Sequence, residues 1–309
     1  MTVNTMTLVC LGISLVCLLL SILIFLWFPS LRCPRITLHT NMFVSLALNN
    51  LCWLLWFNLV LFSPAAWSVN PVWCRALHTL TTYFMMSTYA WMLCEGIFLR
   101  MFLVQSFLDD ERYVKMLCFT GWLMPGVVML PYVLFRLNYE NEKCWINPGS
   151  SVWFLAVPVI LVFAINIFCL CSVIKIIQSK LQFESNFYVS SPRSMSVPIP
   201  MKSIRAVFIL IPIFGLQFLL LPIRPPKGSS LEIFYQVFSS LSTSTQGLTV
   251  SFLLCFSNDE ILTKLRRSFL GFKEKLEVRR ITISSVTVFL FVSVFPDEKK
   301  KKRRRYSYD

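Results

Sequence analysis

Acidic residues are scarce in this chain, 15 Asp and Glu against 29 Lys and Arg over 309 residues, and charged residues of both signs make up only 14%. Histidine occurs twice, at His39 and His78, and the nine glycines are scattered. The eleven cysteines form no CxxC pair and no metal-ligand spacing, and no phosphate-cradling loop or hydrolytic triad can be assembled. These shortages argue against a soluble globular domain and against an enzyme, and call for neither metal nor cofactor.

What is present is hydrocarbon: 56% of the residues are apolar and 15% are aromatic. A helix crosses roughly 30 Å of lipid in about 20 residues. Runs of that length are read at 8 to 28, 37 to 62, 76 to 104, 114 to 135, 151 to 177, 204 to 223 and 232 to 256. The expected fold is an all-α membrane protein, a seven-transmembrane helix bundle. The net charge of +14 lies between the spans and in the tail, without an aromatic-interleaved patch, so lipid orientation accounts for it better than a nucleic-acid partner.

Arg32 and Arg35, then Arg112 and Lys115, then Lys175, Lys180, Arg193, Lys202 and Arg205 follow the odd-numbered spans, which assigns those connections and the tail to the cytoplasm. The N-terminus is then outside, the C-terminus inside, and residues 1–7 form a short outer segment before a seven-span region at 8–256. The first span is read as a true helix rather than a secretory signal, because it lacks a basic leader and a small-residue cleavage site. Ile261, Leu265, Phe269 and Phe272 recur at helical spacing within 257–280, which predicts a C-terminal amphipathic interfacial helix. Residues 281–309 are an atypical tail, apolar and then polybasic. It is read either as a segment binding anionic lipid or as a nonfunctional alternative end of the reading frame.

Polar residues inside spans carry the chemistry, since each is costly in lipid unless it is paired within the bundle. Arg35 and His39 share one face of the second span, and Glu95 in the third lies at matching depth. A His39 to Glu95 contact would satisfy both, either as a static fastening or as a latch that breaks when helices move. Asn49, Gln217 and Gln246 fall at mid-membrane depth and are expected to form a hydrogen-bonded cluster beneath an outward cavity. Pro212 with Gly215 and, in the seventh span, Gly247 are the candidate hinges. Cys74 and Cys144 lie at predicted outer ends, where an oxidising environment favours a disulfide; the alternative is two free thiols.

The stretch CRALHTLTTYFMMSTYAWMLCEGIFL, together with RITLHTNMF, GWLMP, CWI, IRAVFILIPIFGLQFLLLPIRP and QGLTVSFLLCFSNDE, resembles secretin-like (class B) receptors, and within them the calcitonin type, over residues 8 to 277. The resemblance implies a plasma-membrane receptor for a peptide hormone, coupled to a heterotrimeric G protein, commonly the stimulatory one. An accessory single-span membrane protein is a further candidate partner. By position it implies a polar lock at Arg35, His39 and Glu95 and a disulfide at Cys74 and Cys144. The implied central network is Asn49, Thr88, Gln217 and Gln246, and the G-protein side carries Lys180, Asn258 and Glu260.

Three departures stand out: Val207 where the family usually has Thr, Leu254 where it has Tyr or Phe, and Thr88 in place of Asn. The first two leave the lock short of two polar partners, which implies raised basal signalling or altered coupling. Met1 lies a few residues before the first span, which leaves no room for the family's cysteine-rich outer domain. The sequence is therefore expected to be either part of a longer receptor or a truncated form that assembles with or retains full-length partners. A transporter or channel is a more distant alternative, since no inverted repeat or paired broken helix is found.

Overall fold

The computed structural model describes residues 2–28, 33–62, 69–104, 111–147, 149–189, 230–257 and 261–268. Among these, α1 spans Thr2–Trp27 and α2 spans Pro34–Trp56, with α2 ending in a π-helical turn over Phe57–Leu61. Then come α3 (Val72–Val104), α4 (Glu111–Tyr139), α5 (Trp153–Val189) and α6 (Ser230–Ser244). The last long element continues as α7 (Gln246–Ser251) and closes in a second π-helical turn over Phe252–Phe256. Five helices are long and apolar enough to cross a membrane, and no strand occurs among the described residues. The sixth predicted span, with Val207, Pro212, Gly215 and Gln217, lies outside the described residues.

Local chemistry sets the ends. Pro34 opens α2, where its missing N–H costs nothing, and Cys33 just before it is extended. Several helices start earlier than the apolar runs, α1 at Thr2 and α3 at Val72, because a helix in lipid extends past the hydrocarbon to satisfy its own backbone. Hydroxyls inside the spans turn inward on the same logic. Ser21 donates to the Cys17 carbonyl at 2.9 Å, Thr40 to Ile36 at 2.7 Å and Thr81 to Leu77 at 2.8 Å.

The chain divides into a unit covering Met1–Phe256 and another covering Ser257–Asp309. Within the first, α3 is the central rod: it packs on α2, α4 and α5, and 56% of its apolar window is buried against 28% for α1 and α4. Cys74, Thr81, Thr88 and Glu95 recur at seven-residue intervals along α3 and all are buried. Twenty-one residues at helical rise separate Cys74 from Glu95 by roughly 31 Å, about the thickness of the hydrocarbon. One face of one helix therefore links the two ends of the bundle. In the second unit, residues 261–268 are helical, with Ile261 buried and Arg266 and Arg267 exposed; Phe269 and Phe272 lie outside the described residues.

Candidate functional site

At one end of the bundle, α2 and α3 bring Arg35, His39 and Glu95 into one chain of hydrogen bonds. Arg35 Nε donates to His39 Nε2 at 3.2 Å, and His39 Nδ1 lies 2.8 Å from Glu95 Oε1. His39 and Glu95 are 5% and 4% exposed, whereas Arg35 reaches the surface. The arrangement selects a tautomer. An acceptor at Nε2 needs a lone pair there, so the ring proton sits on Nδ1 and is donated to Glu95. A buried carboxyl and a buried imidazole thus satisfy each other across the helix pair, which is the condition for either to survive in lipid. Leu254, on the turn that ends α7, is buried but brings no polar atom. Lys180 lies on α5 with its side chain outside the described residues, as Asn258 and Glu260 are entirely.

At the opposite end, Cys74 and Cys144 are joined by a disulfide that ties α3 to the segment after α4. Lys143, Cys144 and Trp145 all have positive φ, 46°, 53° and 60°, a left-handed turn that costs side-chain-bearing residues about 1–2 kcal/mol each. Its surroundings hold it. The Cys144 N–H donates to Asn70 Oδ1 at 2.9 Å, Trp145 Nε1 and Arg75 Nη1 both donate to Asn141 Oδ1, and Asn70 Nδ2 donates to the Asn141 carbonyl. Glu140 accepts from the Ser151 hydroxyl at 2.6 Å, which holds its carboxyl below the ordinary value. Arg136, 4% exposed, reaches Glu140 at 3.4 Å and the Asn147 carbonyl at 3.0 Å.

Two cavities open beneath this turn. One of about 340 Å³ is lined by His78, Tyr132, Arg136 and Trp145 among others, with His78 Nε2 2.9 Å from the Tyr132 hydroxyl. The other, about 290 Å³, lies farther along α3 and is lined by Asn49, Thr88, Tyr89, Ser239, Thr243 and Gln246. Trp53 and Met85 line both, so the two chambers are neighbours. Of the expected cluster of Asn49, Gln217 and Gln246, Asn49 and Gln246 line this inner chamber together with Thr88, and Gln217 lies outside the described residues. Thr88 donates to the Phe84 carbonyl at 3.0 Å and Gln246 Nε2 to Met92 Sδ at 3.2 Å, while Asn49 Oδ1 is buried with no partner among the described residues.

Several residues of consequence were not singled out in the sequence. Asn50, 2% exposed, donates to Ser14 of α1 at 3.0 Å, and Gly247 packs against the same spot. A Cβ there would collide with Ser14 Oγ and lie 2.5 Å from Leu18, so Gly247 lets α7 approach α1, whatever its part in a bend. The spacing His39, Phe43, Leu46, Asn50 carried the signal for Asn50 over Asn49, since it continues the buried face of α2. In GWLMP, Trp122 Nε1 donates to Asn41 Oδ1 at 3.1 Å and the Trp122 carbonyl accepts from the Tyr83 hydroxyl at 2.9 Å. Three helices meet at that residue.

The model of a family described as 7 transmembrane receptor (Secretin family) matches residues 1–250. The calcitonin gene-related peptide type 1 receptor of Oncorhynchus gorbuscha is 33% identical over 261 residues, 83% of this chain and 53% of that one. The calcitonin receptor of Cavia porcellus is 31% identical over 85% of this chain and 53% of its own length, and the corticotropin-releasing factor receptor 2 of Rattus norvegicus 30% identical over 82% and 60%. The chain thus spans between half and three fifths of the length of these relatives.

Proposed function

The chain belongs to the secretin family of seven-transmembrane receptors, and from that premise we propose that it is a peptide-hormone receptor core that activates a G protein. Ligand entry at the disulfide end is read out at the Arg35 end. The observation that carries this reading is the hydrogen-bonded chain Arg35, His39, Glu95, with its His39 and Glu95 members buried. A signalling bundle needs two packings a few kcal/mol apart, and a hydrogen-bonded pair shared by two helices is lost as a unit when either helix shifts. The cavities supply a place for the ligand, and Thr88 borders the inner one two helical turns before Glu95 on α3. Ser45 of α2, 3.5 Å from Thr88, lies six residues from His39 and supports a route between chamber and lock.

The ligand is a calcitonin-type peptide, by analogy with the relatives named above, and the output is a stimulatory G protein raising cyclic AMP. The protein sits in the plasma membrane with the disulfide end outward, in keeping with its basic connections; anionic lipid and an accessory single-span protein are further partners. Lys180, Asn258 and Glu260 face the G protein, and Pro212 with Gly215 and Gly247 serve as hinges.

The test is cyclic AMP accumulation in cells given calcitonin gene-related peptide, for the chain as it stands and with a cysteine-rich outer domain grafted before Met1. A peptide-dependent rise in the grafted protein, together with raised basal output in Glu95→Ala, is expected. Silence in both forms at matched surface level, with basal output unchanged by Glu95→Ala, overturns the reading.

A further inference from the structure

Arg100 stands five residues beyond Glu95 on α3. Helical rise puts it roughly 39 Å along the helix from Cys74, past the hydrocarbon and into the headgroup layer at the Arg35 end of the bundle. Its guanidinium Cζ lies 5.1 Å from the centroid of the Phe168 ring of α5, and Phe168 is 58% exposed, so the cation reaches the outer surface of the bundle. A ring steadies a cation without neutralising it, since it offers no ordinary acceptor for the N–H groups. Arg100 Nε is buried with no hydrogen-bond partner among the described residues. The described carboxylates found in ion pairs, Glu95, Glu111 and Glu140, are held by His39, Lys115 and Arg136. On α5, Leu161, Ile165, Phe168, Cys171 and Lys175 recur at three- and four-residue spacing and are all exposed, which makes one lipid-facing stripe that is apolar until it ends in a cation. Beside it, the cluster of Cys169, Leu170 and Val173 packs against Ile97 and Leu103 of α3, so Arg100 and the stripe belong to one seam. Tyr113, in the first turn of α4, lies within electrostatic reach of Arg100 and of Cys169 and adds a hydroxyl nearby.

We infer that this seam binds a phospholipid with an anionic headgroup: Arg100 holds the phosphate, Lys175 the second negative charge of the headgroup, and the acyl chain lies along Leu161, Ile165 and Phe168. The pattern fits a lipid better than a free anion. A soluble phosphate needs the cations alone, whereas the exposed hydrocarbon continues from Phe168 back to Leu161, roughly 10 Å of helix, beside the charge. It also disfavours a zwitterionic choline headgroup, whose quaternary ammonium Lys175 repels. A phosphate supplied from the lipid side gives Arg100 the partner that a cation at the edge of the hydrocarbon requires. The inference rests on the receptor reading for which leaflet is meant, the cytoplasmic one where anionic lipid concentrates, but the seam itself is independent of it.

The probe is dioctanoyl phosphatidylserine, titrated onto the purified full chain in a neutral detergent and counted by native mass spectrometry, with dioctanoyl phosphatidylcholine and inorganic phosphate as the other two arms. Phosphatidylserine is expected to bind about five- to twentyfold more tightly than phosphatidylcholine, as two cations at a lipid surface imply, and phosphate to compete weakly. Arg100→Gln should remove most of that preference and Lys175→Gln should weaken phosphatidylserine binding about fivefold. Lys115→Gln, which deletes an exposed charge held by Glu111, should leave it unchanged. Should Arg100→Gln fail to fold, Lys175→Gln, at an exposed position, decides in its place. Equal binding of the two lipids, displacement by phosphate as effective as by lipid, binding untouched by Lys175→Gln, or an equal loss in Lys115→Gln overturns the inference. In detergent both ends of the bundle are open to the probe, so the expected pattern in a protein that gives no cyclic AMP response upholds the lipid site while the receptor reading fails. A cyclic AMP response without the lipid preference does the reverse.

Discussion

Gly121 has no side chain because the indole of Trp91 occupies that space: a Cβ at 121 would lie 2.7 Å from Trp91 Cε2. Gly121→Ala is expected to destabilise the bundle by about 1–3 kcal/mol, and Trp91→Phe, which removes part of the colliding ring, should recover some of it. Thermal unfolding of the four proteins of the cycle measures this, and strictly additive losses would count against the contact. Glu95→Ala leaves the His39 Nδ1–H buried without an acceptor, costing about 1–3 kcal/mol, whereas Glu95→Gln keeps an acceptor oxygen and should cost less. At Glu140 the Ser151 hydroxyl holds the carboxyl below its ordinary 4.5. Protons therefore bind it less readily in the fold than in the unfolded chain, so its contribution is complete above about pH 4.5 and is lost as the pH falls through the depressed value. Ser151→Ala should move that loss to higher pH, as read by Trp145 fluorescence in an acid titration; an unchanged midpoint would rule out the hydroxyl as the cause.

Among the elements, the left-handed turn Lys143–Trp145 depends most on its surroundings, since its backbone conformation opposes its own side chains. Replacing Cys74 and Cys144 by Ser removes a link between positions 70 residues apart, with an expected loss of roughly 2–4 kcal/mol and release of the turn. Limited proteolysis after Lys143 should be faster in the double variant than in the parent. Lys143→Gly in the parent should instead be neutral or stabilising, because glycine adopts φ 46° without penalty. At the junction of α1 and α7, Gly247→Ala has to push against Ser14 and Leu18. α2 and α4 show how a motif read only as a family mark acquires a mechanical meaning. Pro125 withholds an N–H in mid-helix, and one turn earlier Trp122 ties α4 to Asn41 and Tyr83.

For the molecule as a whole, α2 and α3 are joined by the Arg35, His39 and Glu95 hydrogen bonds, and the hydrocarbon of Leu254 is buried on the turn that ends α7. A Val207→Thr, Leu254→Tyr double variant is expected to lower basal cyclic AMP, and an equal or higher basal level would remove the argument that these two positions loosen the inactive state. The membrane class, the positions of the described long spans and the contact of Arg35, His39 and Glu95 were legible in the sequence. Lipid imposes a fixed length on every crossing and a penalty on every unpaired polar group, and both leave marks in one dimension. What required the folded chain was pairing and proximity. Asn50 rather than Asn49 bonds to Ser14, and Asn49, Thr88 and Gln246 share a chamber in which Thr88 bonds to Phe84 and Gln246 to Met92. Gly121 and Gly247 mark close approaches of neighbouring helices. A side chain's depth follows from its number along the helix. Its partner depends on how neighbouring helices are rotated about their axes, and only packing fixes that rotation.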